Sequence, residues 1–292
     1  MPWDQVKYFG NKEGHGKIFL FDFKHPDEGV RELSVEGDSG LRLFPHGISL
    51  WHNKDSGEIF LFVVNHSPSY DCVEKFLYLP KKRALKHIKT YRDPAFRLAN
   101  DVLATGEDSF YFTNIGYFHS HLGNMLELLP LLPFGNVVYY DGNTYRQVVD
   151  NLLTPNGIAM SLDGKYVYLC TSLARDLMIF QREENGNLVL LEEVPLYTSL
   201  DNPTVEHATG NILIGTQHVN HKMIAHLENP LVPAASQVLL LKTHGSNVTA
   251  VSELYSDDGS SLWGSTVASL YNKSMLIGTV YHKLMYCKVN VL

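Results

Sequence analysis

The segment HGISLWHNKDSGEIFLFVVNH, residues 46–66, has the pattern of a β-hairpin. It opens with a short apolar-rich run, and DSG at 55–57 then supplies the residue types that tight turns require. The return run, EIFLFVV, is more apolar and is rich in the aromatic and β-branched side chains that favour strands. The segment therefore predicts two antiparallel strands joined by a turn.

The same pattern recurs four more times along the chain. The copies are NDVLATGEDSFYFTN from Asn100, NGIAMSLDGKYVYLCTS from Asn156, NPTVEHATGNILIGTQ from Asn202 and STVASLYNKSMLIGTVYH from Ser265. Successive copies begin 46 to 63 residues apart, with further strands between them. A period of about 40–60 residues with several strands per repeat is typical of a β-propeller. A chance series of hairpins in another all-β fold is the alternative, and five copies in register favour the propeller.

The two ends of the chain lack complete repeats. HGKIFLFDF at 15–23 and VRELSV at 30–35 resemble the two outer strands of a blade without its inner strands. KLMYCKV at 283–289 resembles a third strand with no fourth after it. We therefore predict an all-β fold, a six-bladed β-propeller with the first blade incomplete at the N-terminus. It forms a single domain over 1–292, with a partial first blade at 1–45 and five repeats at 46–292.

Composition and charge restrict the classes of function. The 292 residues are 45% hydrophobic and 19% charged, which is enough apolar content for a sizeable core and argues against disorder. The net charge of −7 comes with no basic stripe, so nucleic acid is not an expected partner. No run of 18 apolar residues and no apolar signal segment at the start are visible. Three cysteines cannot all pair within the chain.

The residues that open the repeats are candidates for a metal site. The innermost strand of each propeller blade lines the central channel, so the openers should converge near the axis. They are His46, Asn100 with Asp101, Asn156, and Asp201 with Asn202, whereas Ser265 is the exception. Oxygen donors from Asn and Asp suit Ca²⁺, which takes 6–8 oxygen ligands. Asn and Asp before strands are also ordinary turn formers, but their registered positions across repeats favour the metal site.

Two histidines in the first hairpin are candidates for proton transfer. His46 opens the inner strand, and His66 lies 20 residues further on, at the end of the return strand, so their side chains can approach each other. A histidine near a metal can act as a general base on water, although both could simply hydrogen-bond within the channel wall. The pairs His119–His121 and His218–His221 have no third ligand at a spacing that would indicate zinc.

Several motifs together resemble the paraoxonase/arylesterase family over nearly the whole chain. They are PHGIS at 45–49, VVNH at 63–66, ND at 100–101, NGI at 156–158, DGKYVY at 163–168, DN at 201–202, GSTVAS at 264–269 and LIGTVYHK at 276–283. The resemblance implies a six-bladed propeller with two calcium ions, one catalytic and one structural, that hydrolyses lactones and aryl esters. Calcium would polarise the ester carbonyl, and water would be the nucleophile.

The resemblance also implies roles for individual residues. Asn100, Asn156, Asp201 and Asn202 match ligands of the catalytic calcium, and Asp101 and the backbone carbonyl of Ile48 match ligands of the structural one. His46 matches the proposed general base, with His66 as its partner. The family begins upstream of Met1 with a signal-like segment, a Glu–Asp pair that binds both ions, and a cysteine that bridges to the position of Cys287. A disulfide from Cys287 to a partner outside this chain, and an extracellular or endoplasmic reticulum location, are therefore expected.

Modification and lipid contact are further expectations. The sequons at Asn247 and Asn272 are glycosylation candidates, and Asn272 is the better one because it lies in a hairpin turn. MLELLPLLPF at 125–134 matches a helix that contacts lipid in the family, and a packed loop helix is the equal alternative.

A non-catalytic role is the second hypothesis for the whole chain. Some paraoxonase-like propellers assist the assembly or folding of membrane proteins. The missing Glu–Asp segment favours that scaffold role, whereas the retained histidines and the ND and DN pairs favour the hydrolase.

Overall fold

The computed structural model describes residues 16–37, 40–67, 70–117 and 131–290, and the chain divides into two compact units, 1–152 and 153–292. Unit 1 contains ten strands in its described residues. They are β1 (Ile18–Phe21), β2 (Val30–Glu36), β3 (Pro45–His52), β4 (Ile59–Ser67), β5 (Tyr70–Leu79), β6 (Ala84–Tyr91), β7 (Ala99–Ala104), β8 (Phe110–Asn114), β9 (Gly135–Tyr140) and β10 (Tyr145–Leu152). A short 3₁₀ helix, Pro26–Glu28, joins β1 to β2.

Unit 2 contains eleven strands and one α-helix in its described residues. They are β11 (Pro155–Met160), β12 (Tyr166–Thr171), β13 (Asp176–Arg182), β14 (Leu188–Pro195), β15 (Ser199–Val205), β16 (Ile212–Gln217), α1 (Asn220–Glu228), β17 (Ser236–His244), β18 (Asn247–Asp257), β19 (Ser265–Tyr271), β20 (Ser274–Thr279) and β21 (Met285–Lys288). Among the residues described in either unit, no helix has the length and apolar character needed to cross a membrane.

The strands form sheets that follow the predicted repeats. The sheets of unit 1 have the orders β1-β2-β6-β5-β4-β3 and β10-β9-β8-β7, and those of unit 2 have the orders β11-β12-β13-β14, β15-β16-β17-β18 and β19-β20-β21. All five predicted openers lie in the first strand of an antiparallel meander, at one edge of its sheet, which is the pattern of a propeller blade. The predictions of an all-β fold and of five hairpin repeats are confirmed. β21 is also a third strand without a fourth among the described residues.

The N-terminal strands are placed differently from the prediction. β1 and β2 pair antiparallel with each other as expected, but they do not form a sheet of their own. Ser34 to Glu36 of β2 pair in parallel with Ala84 to Lys86 of β6, so the pair extends the outer edge of the next sheet. Open sheet edges offer unpaired N–H and C=O groups, and this pairing covers three residues of each strand.

Burial explains why the N-terminal pair lies there. The side chains of β4 alternate between two faces, with Leu61 and Val63 on one and Phe60, Phe62 and Val64 on the other. Ile18 of β1 and Leu33 of β2 are buried in the same cluster as Leu61 and Val63, so the N-terminal pair helps to cover that face. The opposite face packs on the next sheet of unit 1, where the ring of Phe62 lies 5.7 Å from that of Phe110.

Unit 2 repeats this packing between its own sheets. One cluster joins β12 and β13 to β16 and β17 through Ile179, Leu200 and Ile214. A second cluster joins β16 and β17 to the last sheet through Leu240, Ala268 and Ile277. Consecutive sheets therefore share apolar side chains across their faces, and the inner strands are held side by side.

A core substitution tests this packing. Phe62→Ala removes a fully buried ring between two aromatic neighbours and should lower the free energy of unfolding by about 3–5 kcal/mol. Phe19→Ala is the matched control, because Phe19 in β1 is 52% exposed and its loss should cost less than about 1 kcal/mol. Urea denaturation of the two variants measures the difference, and equal losses would contradict this account of the core.

Candidate active site

The pairing of each inner hairpin is interrupted where the predicted site residues lie. In unit 1 the register shifts between Pro45 and Ile48 and between Ala99 and Val102. In unit 2 it shifts between Pro155 and Ile158, between Leu200 and Pro203, and between Ser265 and Val267. A bulge leaves residues outside the ladder and re-aims their side chains. His46, Asn100, Asp101, Asn156, Asp201 and Asn202 all lie inside these interruptions.

Glycine lets the bulges of consecutive sheets touch each other. In unit 1 a Cβ on Gly47 would lie 2.5 Å from the Cα of Asp101 and 2.7 Å from the carbonyl oxygen of Asn100. In unit 2 a Cβ on Gly157 would lie 2.5 Å from the Cα of Asn202. Both glycines stand third in the same four-residue pattern, PHGI at 45–48 and PNGI at 155–158. Only a residue without a side chain allows the next bulge to come this close.

The two predicted histidines are in direct contact in unit 1. His46 Nδ1 lies 2.9 Å from His66 Nε2, and the ring centroids are 5.1 Å apart. The other nitrogen of His66, Nδ1, lies 2.8 Å from Oδ1 of Asp71. Oδ2 of Asp71 accepts the backbone N–H of Ala99 at 2.9 Å, immediately before Asn100. The histidine pair is thus one part of a longer chain of contacts, which ends beside the predicted metal ligands.

Residues behind His66 hold the histidine pair in place. The Asn65 side chain is buried; its oxygen accepts the N–H of Phe44 at 2.7 Å, and its nitrogen donates to Glu74 and to the carbonyl of Arg42. The backbone N–H of His66 donates to the carbonyl of Phe44 at 3.1 Å. These bonds tie the chain that leads into His46 to the strand that carries His66.

Burial sets the protonation state of His46. Loss of solvation, and after it the repulsion from a positive charge on His66, together lower the pKa of His46 to about 3. The imidazole of His46 is therefore neutral at neutral pH and has one nitrogen that can accept a proton. A neutral imidazole within reach of a reacting water is what a general base requires.

Asn100 and Asp101 are buried in the bulge of β7. The backbone N–H of Asp101 donates to Oγ1 of Thr113 at 3.1 Å, and its Oδ1 accepts the N–H of Val102 at 2.9 Å. Burying a carboxylate costs folding free energy unless hydrogen bonds or a cation stabilise its charge. Unit 1 thus brings together two adjacent bulges, one with His46 and one with the Asn100–Asp101 pair. The backbone of Ile48 and the side chain of His66 lie beside the first of them.

The predicted ligands of unit 2 are held by side chains that the sequence did not reveal. Asn156 Nδ2 donates to Ser172 Oγ at 2.9 Å, and that hydroxyl donates to the carbonyl of Leu200 at 2.7 Å. Gln217 Nε2 donates to Asp201 Oδ2 at 2.8 Å and to the carbonyl of Ser265 at 2.7 Å. Asn202 Nδ2 donates to Asp201 Oδ1 at 2.8 Å. The amide nitrogens therefore point toward protein acceptors, which turns the amide oxygens to the opposite side.

Three supporting residues escaped the sequence analysis, although two of them carried a signal. Asp71 stands directly opposite His66 in the β4–β5 ladder, and a short connection between the two strands predicts such pairing. Gln217 ends the return strand of its hairpin, and His66 is the last residue but one of the first return strand. Ser172 follows the end of β12, and nothing in its sequence context distinguishes it.

The other predicted positions concern a disulfide, glycosylation, lipid contact and zinc. Cys72, Cys170 and Cys287 form no disulfide with one another, and a partner for Cys287 outside the chain stays a prediction. Asn247 begins β18, and Asn272 lies in the β19–β20 turn with a positive φ of 46°. Of the segment 125–134, residues 125–130 lie outside the described residues, as do His119 and His121. His218 and His221 are exposed.

Within the described residues, no group of three or more His, Cys, Asp or Glu side chains is placed to hold a metal ion. The predicted calcium ligands differ from such a group because most of them are amide and backbone carbonyl oxygens. This donor set suits a hard cation such as calcium and does not suit zinc.

Comparison with known proteins identifies the family. The arylesterase family model matches residues 6–289. The chain belongs to the arylesterase family. Serum paraoxonase/lactonase 3 of Rattus norvegicus is 38% identical over 94% of this chain and 77% of its own length. Serum paraoxonase/arylesterase 1 of Homo sapiens is 35% identical over 99% of this chain and 81% of its own length. The predicted resemblance is confirmed, and with it the prediction of an enzyme of the carboxylic ester hydrolase class.

Solved structures support the fold of this arylesterase. A periplasmic gluconolactonase from Pseudomonas aeruginosa is similar over 91% of this chain and 72% of its own chain, with a TM-score of 0.53 and 13% identity. The hydrazine synthase of Kuenenia stuttgartiensis is similar over 96% of this chain and 72% of its own, with a TM-score of 0.57 and 15% identity. At these identities the likeness concerns the fold alone.

The close approach at Gly47 can be tested by adding one methyl group. Gly47→Ala would force the Cβ into the backbone of the Asn100–Asp101 bulge, and we expect the free energy of unfolding to fall by at least about 2 kcal/mol. Ile48→Val is the control, because the Ile48 side chain is 46% exposed and the change should cost less than about 0.5 kcal/mol. Chemical denaturation compares the two, and an unchanged midpoint for Gly47→Ala would refute the packing described for these bulges.

Proposed function

We propose that this arylesterase hydrolyses lactones and aryl esters with calcium as its cofactor and His46 as the general base. The observation that carries the proposal is the contact between His46, in the bulge of β3, and His66 of β4, next to the bulge of Asn100 and Asp101. The names of the relatives, lactonase and arylesterase, give the class of substrate. A non-catalytic scaffold has no need of a neutral, half-buried imidazole held by a second histidine, and no observation favours that alternative.

The residues present fit the proposed cofactor. Side-chain oxygens of Asn100, Asn156, Asp201 and Asn202 are proposed ligands of a catalytic calcium, and Asp101 and the Ile48 carbonyl are proposed ligands of a structural one. The fit is supported by their placement in bulges, by the closeness that Gly47 and Gly157 allow, and by the orientation of the amides. When bound, calcium polarises the ester carbonyl and stabilises the negative charge that develops on its oxygen.

The protein's own groups supply the proton transfer. His46 is neutral, so it can take a proton from the water that attacks the ester carbonyl. His66 contacts the Nδ1 atom of His46 and holds the His46 ring in one orientation. Gln217 holds the Asp201 carboxylate against the main chain of Ser265, which keeps this ligand from rotating. No side-chain nucleophile is required in this scheme.

The sheets of the two units have the strand order of propeller blades. We propose that they are blades of a six-bladed propeller whose bulges face its axis, with β1 and β2, which pair with β6, as the outer strands of its incomplete first blade. The support is the repeated blade pattern of the sheets and the whole-chain likeness to the solved structures.

The setting of the reaction is proposed from the relatives. Their names place them in serum, and an extracellular or endoplasmic reticulum location suits an enzyme that needs calcium at high concentration. A small lipophilic lactone or ester is the proposed substrate. Contact with a lipid surface stays a prediction.

Removal of calcium tests the cofactor. Phenyl acetate and a medium-chain lactone should be hydrolysed with calcium present, and a chelator should abolish both activities. Calcium at about 100 times its dissociation constant should also raise the free energy of unfolding by about 2.7 kcal/mol, a readout that needs no substrate. Hydrolysis that continues in chelator, together with an unfolding transition that calcium does not shift, would contradict the proposal.

Substitution of the proposed base tests the mechanism. His46→Gln keeps a polar side chain but removes the proton acceptor, so kcat should fall about 10²–10⁴-fold while the fold is retained. His25→Gln is the matched control, because His25 is an exposed histidine of unit 1 that pairs with Asp22, and its loss should leave kcat unchanged. If His46→Gln retains full kcat, another group is the base.

A further inference from the structure

The chain of contacts behind His46 ends on a carboxylate whose role neither the sequence nor the relatives suggest. Within unit 1, His46 Nδ1 contacts His66 Nε2 at 2.9 Å, and His66 Nδ1 contacts Asp71 Oδ1 at 2.8 Å. Oδ2 of Asp71 accepts the backbone N–H of Ala99 at 2.9 Å. Asp71 is buried, with only 7% of its side chain exposed. Both of its oxygens therefore have a defined partner.

The direction of each hydrogen bond follows from the chemistry of these groups. An ionised carboxylate can only accept, so His66 must carry its proton on Nδ1. Nε2 of a neutral His66 is then an acceptor, and the proton between the rings belongs to Nδ1 of His46. A neutral imidazole carries one N–H, which leaves the lone pair of His46 on Nε2.

We propose that Asp71 is a positioning residue that fixes the tautomers of both histidines and thereby makes Nε2 of His46 the atom that accepts the proton from water. This inference rests on the proposed function, because it takes His46 to be the base. Asp71 itself touches no reacting atom and acts through His66.

The same contacts allow the positive charge to move from His46 to His66. When Nε2 of His46 takes a proton from water, the proton on Nδ1 of His46 can pass to Nε2 of His66. His46 is then neutral again with its proton on Nε2, and His66 is an imidazolium beside the Asp71 carboxylate. One proton enters the relay and the hydroxide leaves for the ester carbonyl, so charge and atoms balance. Asp71 contacts His66 and not His46, so an imidazolium at His66 has a carboxylate partner at 2.8 Å.

Asp71 could instead have a purely structural role, because it also ties β5 to the start of β7. An isosteric substitution separates the two roles. In Asp71→Asn the Ala99 N–H still needs an acceptor, so the amide oxygen should face Ala99 and the amide NH₂ should face His66. An NH₂ group can only donate, so both histidines must reverse their tautomers. The Nε2 atom of His46 would then carry a proton and could not accept one.

The experiment measures tautomer and activity on the full chain. Nitrogen-15 NMR of histidine-labelled protein, assigned with His46→Gln and His66→Gln, should show the proton of His46 on Nδ1 in the wild type and on Nε2 in Asp71→Asn. The kcat for phenyl acetate in calcium should fall at least about 100-fold in Asp71→Asn, with KM nearly unchanged and the unfolding midpoint close to that of the wild type.

Asp108→Asn is the matched control. Asp108 is an exposed carboxylate of the same unit that accepts hydrogen bonds from Lys75 and Tyr91, away from the histidines. Its substitution should leave both the imidazole spectrum and kcat as in the wild type. A matching loss of kcat in Asp108→Asn would show that any lost carboxylate disturbs the unit, and the positioning role would be wrong.

The outcomes separate this inference from the proposed function. A wild-type spectrum with the proton of His46 on Nε2 overturns the inference without any variant, even if Asp71→Asn fails to fold. Full activity in Asp71→Asn beside an inactive His46→Gln overturns it and leaves the general base in place. An inactive wild type with calcium overturns the proposed function, and the tautomer spectra then still decide whether Asp71 sets the hydrogen-bond direction.

Discussion

The arrangement of the candidate site depends on the backbone contact between the bulges of neighbouring inner strands. A regular antiparallel ladder would point successive side chains to alternate faces and would keep adjacent sheets a side chain apart. The bulges release Asn100, Asp101 and Asn202 from their ladders, and Gly47 and Gly157 let the neighbouring backbone approach them. The polar side chains can then lie at the edge of each sheet, while the apolar faces continue to pack behind them.

The parts of the fold that repeat could be predicted from the sequence. Each hairpin combines a turn signal with a more apolar second strand. Because there are five copies, one wrongly assigned hairpin would not change the predicted fold. The opener positions were found for the same reason, because Asn156 or Asp201 alone would have passed for a turn residue. The N-terminal strands could not be placed in this way. Their pairing with β6 depends on which edge is open and which face of β4 needs cover, and the local sequence carries neither fact.

The sequence predicts the site residues that stand at repeated positions. It does not predict the residues that support them. His46 and His66 were paired by their positions in a hairpin. Asp71 and Gln217 are second partners, and their effect arises from a register and from contacts with a different sheet. Such contacts join residues that belong to different repeats. Asp71 faces His66 directly across β4 and β5, so the pairing of these two strands is the one local feature that indicates it.

The segments PHGI at 45–48 and PNGI at 155–158 share one backbone arrangement that carries two kinds of side-chain chemistry. His46 and Asn156 stand at the same place in this pattern, each followed by the glycine that admits the next bulge. An imidazole at that place can move a proton, whereas an amide presents an oxygen that suits a hard cation. The partners differ accordingly: a second histidine and a carboxylate hold His46, and a serine hydroxyl holds the amide nitrogen of Asn156. The repeat therefore supplies the position, and the side chain with its partner supplies the function.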